Sequence, residues 1–275
     1  MEPASVEFGV VVPSGWRADQ VMDAGRAAEM LGLDFFLVTD HYITPTSDSS
    51  VDAWAMLAAL AAMTQEITLG TCVTPIPFRP PQMLAKVVAT VDQISNGRVV
   101  LGVGAGWSRA EFDAYGTWAD DRTRVAMTVE GLELMMKLWA SDEPFDFDGK
   151  YYRSKGAILR PKPVTRPHPP LWFGGMGSYV LKRLVAKHAD AWLPPVPGIP
   201  DEEYLRVLAA VRGGDGVERK RPVRVMFNGT LSEIKSGVEK YERMGCEAAM
   251  LVRTPYEELP GAMLELSEFC RSYGR

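Results

Sequence analysis

The chain has 275 residues, 47% of them apolar, and a formal net charge of -5, a length that suits one eight-unit barrel of ~250 residues or more. Its basic residues are scattered rather than gathered into the stripe or patch of a nucleic-acid binder, and no apolar run approaches the ~20 residues that span a bilayer. The acidic start lacks a signal-peptide core, and Cys72, Cys246 and Cys270 are too few and too far apart for a disulfide framework, so a cytoplasmic protein with no membrane partner is expected.

Short β-rich runs alternate with segments of helical periodicity from end to end. Residues 6–12 read as a first strand closed by Pro13. Residues 19–31 read as a helix with Val21, Ala24, Ala28 and Leu31 on one face, and Gly32 as its stop. Strand 35–38 is followed by helix 54–63, and strand 67–73 by helix 81–94, with Gly97 behind it. Strand 99–103 leads to the longest amphipathic stretch, 122–139, whose stripe is Val125, Val129, Leu132, Met135 and Leu138. Residues 141–170 are irregular and proline-rich, with Asp148-Gly149 as a hairpin turn. Strands at 171–173, 191–193, 223–227 and 248–252 then alternate with helices at 179–187, 202–211, 234–244 and 257–273. Eight strand–helix units without a composition break predict one α/β domain over 1–275, a (β/α)₈ TIM barrel; a doubly wound sheet is the alternative.

In such barrels the active site lies at the C-terminal ends of the strands. The residues there are Ser14, Gly15 and Trp16; Thr39, Asp40 and His41; Cys72, Val73 and Thr74; Gly104, Ala105, Gly106 and Trp107; Gly174, Gly175, Met176, Gly177 and Ser178; Asn228; and Arg253. The turn Gly174-Gly175-Met176-Gly177 lets backbone N–H groups converge at a helix start that Ser178 can cap, which suits a phosphate without any lysine; a tight left-handed turn is the other reading. Gly104 and Gly106 either admit a planar ring and its side chain or mark a crowded barrel rim. His41 can move a proton near neutral pH, with Asp40 as its neighbour, or it merely caps a turn. Trp16, Trp54, Trp107 and Trp172 suit a planar heterocycle or simple packing. No His-x-x-x-His or Cys-x-x-Cys spacing and no Gly-x-Ser-x-Gly elbow is present, so no metal site is expected and acyl transfer drops out.

Taken together, several runs carry a family resemblance. Gly97-Arg98-Val99-Val100-Leu101-Gly102-Val103-Gly104-Ala105-Gly106-Trp107 with Glu111-Phe112 and Gly116, Leu69 to Pro75, Asp40-His41, Pro169 to Gly175, and Ala189-Asp190-Ala191-Trp192 occur in one order over about residues 6–195. They resemble the luciferase-like monooxygenase superfamily, and within it the branch of coenzyme F420-dependent oxidoreductases. The resemblance implies a barrel with the deazaflavin ring at its mouth and a non-prolyl cis peptide between Cys72 and Val73 behind the ring. It also implies a coenzyme phosphate on Gly174 to Gly177, contacts from Asp40, Ala105, Gly106 and Trp107, and His41 facing a small-molecule substrate. Sugar-phosphate dehydrogenases of that branch carry a glutamate where this chain has Trp107, so that acid role lacks support. The resemblance further implies a homodimer, with the Ala-rich segment 53–62 as a packing face. Two rivals are an FMN-dependent luciferase-like monooxygenase and a coenzyme-binding protein without catalysis.

Overall fold

The computed structural model describes residues 6–44, 47–175, 188–193, 201–212, 224–252 and 254–273. Strands β1 (Glu7–Val12), β2 (Phe35–Val38) and β3 (Thr68–Thr71) alternate with helices α1 (Ala18–Met30) and α2 (Ala53–Met63). A two-residue strand β4 (Thr74–Pro75) precedes α3 (Pro81–Ser95) and β5 (Val99–Gly104). A short helix α4 (Arg109–Tyr115) and a long one, α5 (Asp121–Ala140), follow, then a hairpin of β6 (Phe145–Asp148) and β7 (Arg153–Ala157). The chain ends with β8 (Leu171–Gly174), β9 (Ala191–Leu193), α6 (Asp201–Arg212), β10 (Arg224–Gly229), α7 (Leu231–Arg243), β11 (Ala248–Leu251) and α8 (Leu259–Ser272).

Eight of these strands close on themselves. The order β3-β2-β1-β11-β10-β9-β8-β5 is completed by pairing of β3 with β5, and every neighbouring pair in the ring is parallel. The (β/α)₈ barrel is therefore confirmed over the doubly wound alternative, which has two free edges.

Alternate residues of each strand face inward or outward, and both directions are buried. Phe35, Leu37, Val100, Trp172, Leu193, Met226 and Met250 belong to one apolar cluster inside the barrel, where Phe35 and Trp172 meet edge to face at 5.7 Å. The intervening residues, such as Phe36, Leu101 and Phe173, join the larger layer beneath the helices. This two-sided burial explains why the strands read as unbroken apolar runs.

The predicted hairpin at Asp148-Gly149 exists, but its turn is wider than two residues. The Glu130 carboxylate on α5 accepts from the N–H groups of Lys150, Tyr151 and Tyr152, which stabilises an open turn from a helix the turn packs on. Helix α4 is absent from the sequence-based reading. The predicted helix 179–187 lies outside the described residues. Among the described residues no helix is long and apolar enough to cross a membrane.

Candidate active site at the barrel mouth

At the C-terminal end of β3 the chain breaks its ladder. The peptide between Cys72 and Val73 is cis, the non-prolyl bond that the family resemblance implied. Cys72, Val73 and Val252 pack on the interior cluster from its open end, so Val73 stands as an apolar ledge over the barrel core. Two of the predicted glycines serve that ledge. A Cβ on Gly104 would fall 2.5 Å from Val73 Cγ2, and one on Gly174 would fall 3.2 Å from Val73 Cγ1. Close packing against Val73 therefore leaves no room for a side chain at Gly104. Burial pushes the Cys72 thiol up to about 12, so it stays protonated and is no nucleophile near neutral pH.

Gly106 has a positive φ of 79°, and a Cβ there would lie 2.5 Å from the Phe112 ring. Its carbonyl accepts from Arg124 Nε at 3.2 Å, and the Arg124 guanidinium stacks 3.9 Å from the Trp118 ring centre. The turn after β5 is held from below by this buried arginine. Ala105 packs against the outer core. Trp107 is 61% exposed and meets His41 edge to face at 5.8 Å, the one predicted tryptophan standing open at the mouth. Trp16, Trp54 and Trp172 are buried, and Trp54 Nε1 donates to Thr74 Oγ1 at 3.0 Å, so these three are packing residues.

Asp40 does not orient His41, contrary to the sequence-based expectation. Its buried carboxylate accepts from Arg79 at 2.7 and 2.9 Å and from Thr74 Oγ1 at 2.7 Å. Arg79 also reaches Asp52, the N-cap of α2, at 2.8 Å. Burial works against the Arg79 charge, yet the Asp40 and Asp52 carboxylates outweigh it and hold the guanidinium above its ordinary value. Asp40 is thus the hub of an ion-paired knot beneath the mouth. Strand β2 ends at Val38, and in the loop that follows the two neighbouring side chains go to different partners, Asp40 to Arg79 and Thr74 and His41 to α4.

His41 turns the other way, to an acid that the sequence offered only as part of the family motif. Its Nδ1 lies 2.9 Å from Glu111 Oε2, while Glu111 Oε1 accepts from the N–H groups of Tyr42 at 2.7 Å and Ile43 at 3.2 Å. Glu111 is 1% exposed and sits in the first turn of α4. Tyr42 stacks on Tyr115, also of α4, at 4.7 Å. The available signal in the sequence was Glu111 itself, which follows the β5 glycines within the run that carries the family resemblance.

Gly174 and Gly175 close β8, Gly175 with a φ of 121° and with its carbonyl accepting from Trp192 Nε1 at 2.9 Å. Met176, Gly177 and Ser178, the rest of the expected phosphate turn, and Arg253 lie outside the described residues. Asn228 lies within β10, in register with Met250 of β11. Among the described residues no group of three or more His, Cys, Asp or Glu side chains could hold a metal ion.

A parallel barrel with an acid–imidazole pair and an apolar ledge at the C-terminal mouth is the layout of a barrel enzyme that acts at its strand ends. The chain belongs to the luciferase-like monooxygenase family, whose sequence model matches residues 6–241. An uncharacterised protein of Mycobacterium tuberculosis is 31% identical over 233 residues, covering 77% of this chain and 81% of the relative. The fold is similar to an F420-dependent secondary alcohol dehydrogenase solved with an F420-acetone adduct, with a TM-score of 0.77 and 19% identity over 96% of this chain and 98% of the other. It is also similar to the monooxygenase RslO1 of Streptomyces bottropensis, with a TM-score of 0.79 and 21% identity over 95% and 98% of the two chains.

Proposed function

We propose that the protein is an oxidoreductase that transfers a hydride between coenzyme F420 and the carbinol or carbonyl carbon of a small organic substrate. The observation that carries this reading is the His41–Glu111 pair at the end of the barrel that also bears the Val73 ledge. The residues present fit a planar heterocycle: the ledge offers an apolar floor, and the Gly104 and Gly174 backbones leave Val73 room to stand there. Val73 and Gly106 would border the ring, and Gly174 to Gly177 would hold the phosphate.

When bound, a deazaflavin supplies a carbon that takes or gives a hydride. The protein's own part is placement and proton management. His41 takes the hydroxyl proton when an alcohol is oxidised, and returns it to the oxygen when a carbonyl is reduced. The buried Glu111 carboxyl group, 2.9 Å from Nδ1, stands where it can balance the imidazolium that results. Trp107, exposed beside His41, offers an apolar wall to the substrate and no second acid.

The FMN-dependent monooxygenase is the second reading, supported by the likeness in fold to a monooxygenase. Parallel fluorescence titrations of the purified protein with F420 and with FMN decide between them. Selective F420 binding at micromolar or lower concentration, with alcohol-dependent F420 reduction, supports the proposal. Selective FMN binding with oxygen uptake overturns it, and F420 binding without turnover over a panel of alcohols and ketones reduces the protein to a coenzyme binder.

As to its own assembly, we take the protein to be a homodimer through α2 and α3. Met63, Met83 and Ile94 are exposed there, beside a cleft of about 410 Å³ lined in part by Ala55, Ala58 and Val87. Light scattering behind gel filtration checks it, a monomeric mass being the contrary result.

A further inference from the structure

Glu111 holds three hydrogen bonds at once, two from backbone N–H groups and one involving His41 Nδ1. An ionised carboxylate is acceptor-only, and two backbone N–H groups donating to one of its oxygens favour that form. The hydrogen on the 2.9 Å contact therefore belongs to the imidazole. Which ring nitrogen of a histidine carries the proton is set by the bond the other nitrogen makes. Among the described residues Nε2 makes no hydrogen bond to the protein, and the side chain is 15% exposed.

We propose that Glu111 is a positioning residue that fixes His41 as its Nδ1–H tautomer, so that Nε2 is the atom offered to the substrate as a proton acceptor. The proposal rests on the reading that His41 faces substrate. The same carboxylate sets where the ring stands, because Tyr42 and Ile43 follow His41 directly and their N–H groups anchor the loop to α4. In the oxidising direction the substrate O–H bond would break with its proton going to Nε2 and its electron pair forming the carbonyl, and a deazaflavin, when bound, would supply the acceptor for the carbon's hydride. The wrong tautomer would present an N–H to that hydroxyl and could not accept its proton.

Two-bond ¹⁵N–¹H correlation spectra of the imidazoles read the tautomer without coenzyme or substrate. The chain has only three histidines, and His41→Ala identifies the His41 pattern by its loss. At the alkaline end of its own titration, wild-type His41 should show a protonated Nδ1 and a bare Nε2; a protonated Nε2 there overturns the proposal. Glu111→Gln can keep the two backbone bonds through its carbonyl while turning an amide N–H toward Nδ1. It should shift His41 to the Nε2–H form and lower kcat by about 100-fold or more, with KM and coenzyme affinity nearly unchanged. Retention of the Nδ1–H pattern in Glu111→Gln, or an unchanged kcat with the tautomer altered, also overturns it. Should wild-type protein turn over no substrate with F420, the functional reading fails while the spectra still decide the tautomer.

Discussion

Arg79 and Asp40 are joined by two parallel hydrogen bonds of 2.7 and 2.9 Å beneath the barrel mouth. The pair ties the end of β2 to the turn after β4, and Thr74, Trp54 and Asp52 extend it to the start of α2. A fork-to-fork geometry of this kind is specific as well as strong. Breaking a buried pair from one side leaves the other charge desolvated and uncompensated.

Asp40→Ala is therefore expected to cost roughly 3–5 kcal/mol of folding stability, read as a lowered urea midpoint. Replacing the pair with Asp40→Asn and Arg79→Met together should cost less than the two single changes added, since neither charge is left alone. A variant Asp40→Ala with unchanged stability and abolished coenzyme binding would instead make Asp40 a direct coenzyme contact.

This pair also shows where sequence reading reached its limit. The eight strands were legible because each is an apolar run between glycines, prolines and polar turns, and both of its faces are buried. Asp40 and His41 were legible as residues of a strand end, and Cys72–Val73 as the bulge behind a ring. Their partners were not. Glu111 is 70 residues from His41, and nothing local marks that contact. It lies on a seven-residue helix whose N-cap, Ser108, makes no side-chain capping bond, so neither periodicity nor a start signal revealed α4. The adjacency of Asp40 and His41 suggested cooperation, whereas each is taken by a partner far along the chain, Arg79 and Glu111.

The ledge formed by Val73 makes a second expectation. Gly104→Ala introduces a methyl 2.5 Å from Val73 Cγ2, which Val73 can relieve only by moving toward the space above the core. Overpacking of this kind costs typically ~1–3 kcal/mol. Coenzyme affinity should fall by at least tenfold in fluorescence titration, more than the small loss of stability explains. Equal affinity in the folded variant would mean that the ledge does not border the ring.

On the opposite side of the protein, Glu29 supplies a pH dependence. Its carboxylate, at the end of α1, accepts from the N–H groups of Gln65, Glu66 and Ile67. Burial alone would raise its pKa, but those backbone bonds outweigh burial and hold it below the ordinary value. A carboxyl depressed in the folded state binds fewer protons than in the unfolded chain. Its contribution is thus complete above the unfolded value of ~4.3 and is lost as pH falls through the lower folded one. Glu29→Gln should cost about 1 kcal/mol at pH 7 and less as the pH drops below 4, seen as urea midpoints of the two proteins converging in acid. A gap that stays constant from pH 7 to pH 3 would show that the amide loses packing rather than charge.

The thiols give a chemical readout of the mouth and of the outer core together. Burial pushes both Cys72 and Cys246 up to about 12, and Cys270 is 5% exposed. At pH 8 a thiol of that kind is only about one part in 10⁴ thiolate, against roughly a quarter for an ordinary cysteine, and the thiolate is what attacks an alkylating agent. Native protein treated with iodoacetamide at pH 8 should therefore remain almost unmodified by intact mass, while protein in 8 M urea takes up three carbamidomethyl groups. Cys72 is the informative site, because it is partly exposed as a residue and borders the ledge. Rapid alkylation confined to Cys72 in the native state would mean that its thiol is solvated and ionisable, and that the floor of the mouth is wetter than its packing on the interior cluster implies.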